Sequence, residues 1–275
     1  MRVECGVCPH HCKIEEGHLG RCKARTNRSG EIVSENYGRL TAMALDPIEK
    51  KPLYHFHPGS KILSVGSYGC NLNCPFCQNC DISMAGGGEL ETQEIACDEL
   101  VRKASVLRSR GNIGLAYTYN EPLIGYEFVR DCSRRAKEQG LKNVVVTNGY
   151  ICEKPLRELL PCIDAFNIDL KGFTEEFYHR LGGDLATVKG TISLAAEQCH
   201  VEVTTLIIPG ENDSEEEMAK LSGWLAGVDR NIPLHISRFF PRWRMQDREA
   251  TPVDTVYRLA RIAREGLKYV YEGNC

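Results

Sequence analysis

From Lys61 onward the chain alternates short apolar runs with amphipathic stretches. The runs are KILSVG (61–66), IGLAYT (113–118), NVVVT (143–147), AFNIDL (165–170), HVEVTTLII (200–208) and PLHISRF (233–239). Bounded apolar runs rich in β-branched side chains read as buried strands. Helical spacing fills the gaps near 93–109, 122–139, 154–160, 174–198 (broken at Gly182-Gly183) and 213–226, with a last helix from about Pro252 to Glu265. Strands alternating with helices wind into a parallel sheet covered by helices, so the fold class is α/β. A complete eightfold barrel takes about 250 residues. The segment from Lys61 is shorter than that and fits six units, which predicts a partial (β/α)6 barrel, with KYVYEG near Lys268 as an added edge strand.

Upstream the pattern changes. Residues 1–30 are rich in Cys, His, Gly and Arg without periodicity, and EIVSENYGRLTAMAL reads as strands or a hairpin leading into the Pro-Gly turn of HFHPGS. The predicted division is a Cys-rich segment with a hairpin over 1–60 and a barrel over 61–275. A net charge of -3 supplies no field for nucleic acid or an anionic membrane surface. MRVECGVCPHHC lacks the apolar run of a signal peptide, and no stretch approaches the ~20 apolar residues of a membrane span. The expectation is a cytoplasmic protein with neither nucleic acid nor membrane as partner.

Fourteen cysteines in such a chain point to metal binding rather than to disulfides. One group, SYGCNLNCPFCQNC, directly follows the first strand and puts Cys70, Cys74 and Cys77 at its carboxyl end, where barrel enzymes build their sites. Three thiolates on a cubane leave one iron open to the amino and carboxylate groups of a small ligand. Cys80 as a fourth ligand would instead close the site. The other group, Cys5, Cys8, Cys12 and Cys22, offers four thiolates, with His10 and His11 as spare ligands. Its segment is too poor in apolar residues to hold itself by burial, so a structural metal would supply folding energy, either zinc or a second iron–sulfur cluster.

The C-x3-C-x-Φ-C pattern, with Phe76 as its aromatic, resembles the signature of radical S-adenosylmethionine (radical SAM) enzymes. YTYNEP (117–122), VTNGY (146–150), NIDLK (167–171), TTLIIPGEND (204–213) and SRFFP (237–241) fall at successive strand ends. With CGVCPHHCKIEEGHLGRCKAR and DPIEKKPLYHFHPGS, they are similar to the AmmeMemoRadiSam branch, a relative of the pyruvate formate-lyase activating enzyme. The resemblance implies a partial barrel of the radical SAM type and a [4Fe-4S] cluster. It also implies reductive cleavage of S-adenosylmethionine, fed by an electron donor such as flavodoxin or ferredoxin. The 5'-deoxyadenosyl radical so formed would abstract hydrogen from a protein, a peptide or a small molecule. Cys70, Cys74 and Cys77 would then carry the cluster.

By the same resemblance Glu121, beside Asn120, would meet the ligand's ammonium group and Lys171 its carboxylate. Thr147, Asn148 and Asp169 would hold the ribose or a cation, and Phe76 and Arg238 would flank the adenine. Simpler roles compete at each position. Glu121-Pro122 can merely open a helix, Thr147-Asn148-Gly149 can be a turn, Asp169 and Lys171 can pair with each other, and Arg238 can be solvated. Two other activities are open to such a chain: transfer of the 3-amino-3-carboxypropyl group, and electron transfer without radical chemistry.

Overall fold

The structure, a computed structural model, describes residues 1–275. Its centre is an eight-stranded sheet. Seven strands are parallel and lie in chain order: Lys61–Gly66, Asn112–Tyr117, Lys142–Thr147, Ala165–Asp169, His200–Ile207, Leu234–Arg238 and Val270–Gly273. The eighth, Ala42–Pro47, pairs antiparallel with Lys61–Gly66 at one edge. The two edges do not pair with each other, so the sheet stays open. The six expected strands and the expected edge strand near Lys268 are all present.

Helices connect the parallel strands, and local chemistry sets their ends. Ser214 caps Glu215–Asp229 by accepting from Glu217 N, and Glu215, Glu216 and Glu217 fill its first turn, where acids meet the positive end of the helix dipole. The break expected at Gly182-Gly183 separates Glu175–Leu181 from Leu185–Ala196. Gly182 lies in the left-handed region (φ +81), and a Cβ there would collide with the guanidinium of Arg21.

The two faces of the sheet differ, as a period of two requires. Leu63, Val65, Leu115, Tyr117, Val145, Phe166, Ile168, Val203, Leu234 and Ile236 belong to the large apolar core shared with the helices. The opposite face carries Ser64, Thr118, Asn167, Glu202, Thr204 and His235, polar side chains that leave a lumen rather than a packed centre.

A strap plugs one end of the lumen. Ile48, Leu53 and Phe56 pack on Ile62, Ala116, Val144 and Ala165. Its backbone is held by the fully buried Glu202, whose carboxylate accepts from Tyr54 N (3.0 Å), His55 N (2.7 Å), His200 Nε2 (2.9 Å) and His235 Nε2 (2.7 Å). Asn167 adds a bond to the Pro52 carbonyl (2.9 Å).

The amino-terminal region corrects one expectation. Strand Glu31–Ser34 pairs upstream with Arg25–Arg28 around Ser29-Gly30, both at positive φ, rather than within 31–60. Ala42–Pro47 belongs to the central sheet, so a boundary at residue 60 falls between two paired strands.

Burial raises the cost of ionising Glu202, but its bonds to His200, His235 and two backbone amides outweigh that and hold its pKa at about 2, below the ordinary 4.5. A depressed carboxyl contributes stability above its ordinary pKa and loses it as pH falls through the lowered value. Glu202→Gln is therefore expected to lower stability at neutral pH by on the order of 3 kcal/mol. The deficit should narrow between about pH 5 and pH 2. Urea unfolding across that range checks this, and a deficit independent of pH would assign the loss to packing alone.

Candidate active site

The other end of the lumen is open, and the cysteine loop crosses it. A cavity of about 690 Å³, in the range of small-molecule sites, runs from Cys70, Cys74 and Cys77 at the strand ends down to Lys51 and Tyr54 on the strap. Asn120, Glu121, Thr147, Asn148, Asp169, Lys171 and Phe76 all line it. Arg238 does not; its Nε donates to the Thr251 carbonyl (2.6 Å) and its guanidinium lies over Phe240 (4.8 Å).

The loop is fixed by buried polar side chains. Asn120 Oδ1 accepts from Ser67 N (2.9 Å), and its Nδ2 donates to the carbonyls of Tyr68 (3.0 Å) and Gly69 (3.1 Å), the residues leading into Cys70. Asn148 Nδ2 donates to Asn71 Oδ1 (2.9 Å) and lies 3.6 Å from Cys70 Sγ. Asn71 Nδ2 in turn donates to the Tyr150 carbonyl (2.6 Å).

Glu121 joins two strand ends. Its carboxylate accepts from Leu123 N (2.9 Å), Thr147 Oγ1 (2.7 Å) and Asn148 N (2.7 Å). It does open a helix, capping the turn Pro122–Gly125, yet only one of those three bonds is the cap. A carboxylate offers about four acceptor positions, so these three donors leave one unused. Burial pushes Glu121 up to about 7, against the pull of its donors. Lys171, also on the cavity lining, pairs its Nζ with Asp169 Oδ2 (2.6 Å). Burial disfavours the Lys171 charge, but Asp169 and the nearby Cys74 and Cys77 hold its pKa above the ordinary value.

Burial pushes the Cys74 thiol up to about 12 and Cys70 well above its ordinary value. Both are protonated when nothing is bound, and a metal would have to displace those protons. Nowhere do three His, Cys, Asp or Glu side chains converge as a single ion requires. Three soft thiols spread along one cavity wall fit a polynuclear iron–sulfur core instead. Cys80 starts the one-turn helix Cys80–Ser83, points its thiol at Asp81 (3.6 Å) and is not on the cavity wall. Phe76 stacks nearly parallel to Phe177 at 6.3 Å.

Sequence reasoning missed several residues on this wall. Lys51 is buried, pairs with Asp46 (2.9 Å) and lies under the Tyr119 ring (4.6 Å), while Tyr119 donates to the same carboxylate (2.7 Å). His235 was hidden inside a strand run. Asn71, buried behind the wall, stands between two of the cysteines, a position that signalled proximity but not its partners.

Comparison with known proteins agrees with this geometry. The family model described as the Radical SAM superfamily matches residues 64–222. The uncharacterized protein MJ0808 of Methanocaldococcus jannaschii is 40% identical over 99% of this chain and 81% of its own length. The pyruvate formate-lyase-activating enzyme of Clostridium pasteurianum is 31% identical over 60% of this chain and 68% of that enzyme. The pyruvate formate-lyase 1-activating enzyme of Escherichia coli is 28% identical over 56% of this chain and 63% of its own length. Among solved structures, a domain of the pyruvate-formate lyase-activating enzyme of Bacteroides vulgatus superposes with a TM-score of 0.52. It has 19% identity and covers 58% of this chain and 99% of that domain. At that identity the likeness is one of fold.

Thr147→Val keeps the shape of the side chain and removes one of the three donors to a buried carboxylate. It is expected to destabilise the protein by about 1–3 kcal/mol. Chemical denaturation measures this, and an unchanged midpoint would mean that Glu121 does not depend on the hydroxyl.

Proposed function

Because the chain belongs to the radical SAM superfamily, as an enzyme related to the pyruvate formate-lyase activating enzymes, we propose that Cys70, Cys74 and Cys77 hold its [4Fe-4S] cluster and that the lumen wall binds S-adenosylmethionine. The observation that carries this reading is that three cysteines, Cys74 buried and Cys70 and Cys77 half-buried, line a 690 Å³ cavity that also presents Glu121 and Lys171. When bound, the reduced cluster supplies the electron that cleaves S-adenosylmethionine to methionine and a 5'-deoxyadenosyl radical, which abstracts hydrogen from a substrate.

The chain's own residues do the positioning. Glu121 receives the ligand's ammonium group at its remaining acceptor position, a charge-assisted hydrogen bond in a dry site. Lys171 turns its ammonium between Asp169 and the ligand's carboxylate. Thr147 and Asn148 fix Glu121 and the Cys70 loop, Asn120 fixes the approach to that loop, and Phe76 offers an apolar face for the adenine. Arg238, engaged by Thr251 and Phe240, would have to leave them to take part.

Below the cysteines the lumen continues to Tyr119, Lys51 and His235, which gives a protein segment, peptide or small molecule room to meet the radical. A flavodoxin or ferredoxin would supply the electron. Cys5, Cys8, Cys12 and Cys22 would hold a second metal centre. No helix is long and apolar enough to cross a membrane. Fourteen free thiols suit the reducing cytoplasm.

Anaerobic incubation of the reconstituted, reduced protein with S-adenosylmethionine tests the reading. The expected nucleoside product is 5'-deoxyadenosine; 5'-methylthioadenosine would mean 3-amino-3-carboxypropyl transfer, and no cleavage would leave an electron carrier. Cys70→Ala, Cys74→Ala and Cys77→Ala are each expected to abolish the product and the barrel cluster's spectrum, while Cys80→Ala keeps both. Glu121→Ala should leave the cluster assembled and weaken S-adenosylmethionine binding by a factor of about ten to a hundred, since a hydrogen bond to a charged group contributes roughly 1.5–3 kcal/mol. Calorimetry showing unchanged affinity would return Glu121 to the role of a helix cap.

A further inference from the structure

The strap that plugs the lumen supplies part of the cavity lining, and it crosses the sheet from one edge to the other. Lys51 pairs with Asp46 on the antiparallel edge strand, and the Pro52 carbonyl accepts from Asn167 in the middle of the sheet. Tyr54 meets His235 edge-on (4.7 Å) and lies 5.0 Å from Tyr271 on the opposite edge strand. The residues assigned to S-adenosylmethionine do not include Lys51, Tyr54 or His235. Yet all three line the cavity that the barrel cysteines line.

Lys51 is short of acceptors. Its side chain is 3% exposed, and its ammonium makes a single hydrogen bond, to Asp46 Oδ2 (2.9 Å). An ammonium has three donors. The Tyr119 ring at 4.6 Å can face a second, and the third has no partner. Nor does Asp46 serve Lys51 alone, since it also accepts from Lys50 Nζ (3.2 Å) and Tyr119 Oη (2.7 Å). Glu49 does not relieve the shortage. Its carboxylate is turned to Gly59 N (2.6 Å), so two lysines share one aspartate. A buried cation is costly unless acceptors surround it, and an anionic group in the cavity would complete the set.

His235 is engaged on one side only. Its Nε2 pairs with Glu202 (2.7 Å), the ring's one hydrogen bond, and its side chain is 4% exposed. Because the carboxylate is an acceptor, Nε2 carries the proton, and Nδ1 of the neutral ring is itself an acceptor. The backbone is also shaped around Lys51. Tyr119 holds φ +74, in the left-handed region that bulky side chains rarely adopt, and a Cβ on Gly66 would collide with the Tyr119 side chain. Glycine at that position makes room for Tyr119 to reach Lys51 and Asp46.

We propose that Lys51 and His235 form the substrate subsite of this enzyme and that the substrate is a small organic anion. Lys51 donates to its carboxylate or phosphate, and His235 Nδ1 accepts from a hydroxyl or ammonium group elsewhere on it. This names the substrate class for the radical-cleavage reading given above and rests on that reading. A small molecule fits better than a folded segment, because Lys51 is almost wholly buried and the 690 Å³ cavity must also take S-adenosylmethionine.

The test uses the full chain, reconstituted anaerobically, with three related probes: glycerate, glycerol phosphate and glycerol. Calorimetry with saturating S-adenosylmethionine present is expected to show saturable binding of at least one anion and none of glycerol. The tighter anion tells carboxylate from phosphate. Lys51→Met should weaken it by a factor of about ten to a hundred, the share of one hydrogen bond to a charged group, whereas Lys51→Arg, which keeps the charge, should stay closer to wild type. With that anion deuterated on carbon, mass analysis of the 5'-deoxyadenosine formed should find the label. Binding of neither anion, equal binding of glycerol, competition with S-adenosylmethionine, unchanged affinity in Lys51→Met or an unlabelled nucleoside overturns the proposal. Should Lys51→Met fail to fold, a crystal structure of the wild-type complex decides: the anionic group within hydrogen-bond reach of Lys51 Nζ upholds the subsite, and any other position overturns it. No 5'-deoxyadenosine from wild-type protein fells the radical reading and the substrate role with it, while anion binding that depends on Lys51 would still establish the site.

Discussion

Parallel strands that stop inside a molecule leave backbone amides and carbonyls without ladder partners, and each must be satisfied where no water reaches. At the open end of this sheet the partners are side chains from the loops: Glu121 for Asn148 N and Leu123 N, and Asn120 for Ser67 N and the carbonyls of Tyr68 and Gly69. The same bonds place Cys70 and the acidic group of the cavity wall. Satisfaction of the buried backbone and preorganisation of the site are thus one network, which is why nearly every polar residue around the cavity touches another.

The opposite end shows the same economy. Glu202 lies within a strand, where a carboxylate is costly to bury, yet it holds the strap by two amide bonds and orients two histidines. Lys51 and Tyr54 of the strap and His235 of the sheet line the same cavity as the barrel thiols, so the seating of the strap shapes the space beside them.

The two cysteine sets share a physical state and differ in closure. Burial raises Cys8 to about 12 and Cys22 to about 11, much as it raises Cys74. A metal bound at either place would have to displace those protons, which higher pH favours. The barrel set has three thiols and a 690 Å³ cavity beside it; the amino-terminal set has four around a much smaller void, whose lining includes Arg25.

The strands and the class of chemistry are written in the sequence. Bounded apolar runs such as NVVVT and AFNIDL read as buried strands, and C-x3-C-x2-C directly after the first run, KILSVG, sets where soft ligands appear. Glu121, Thr147, Asn148 and Lys171 were legible because they stand at strand ends within motifs that resemble those of a known family. Tertiary structure alone decided which of these residues share a wall. It left Arg238 bonded to Thr251 and set Asp169 against Lys171. It also drew the strap residue Lys51 against Tyr119, and brought Asn71 between the two cysteine sets. The last two join residues dozens of positions apart, where local periodicity carries no information. They follow instead from how the sheet curves and which buried polar groups find each other.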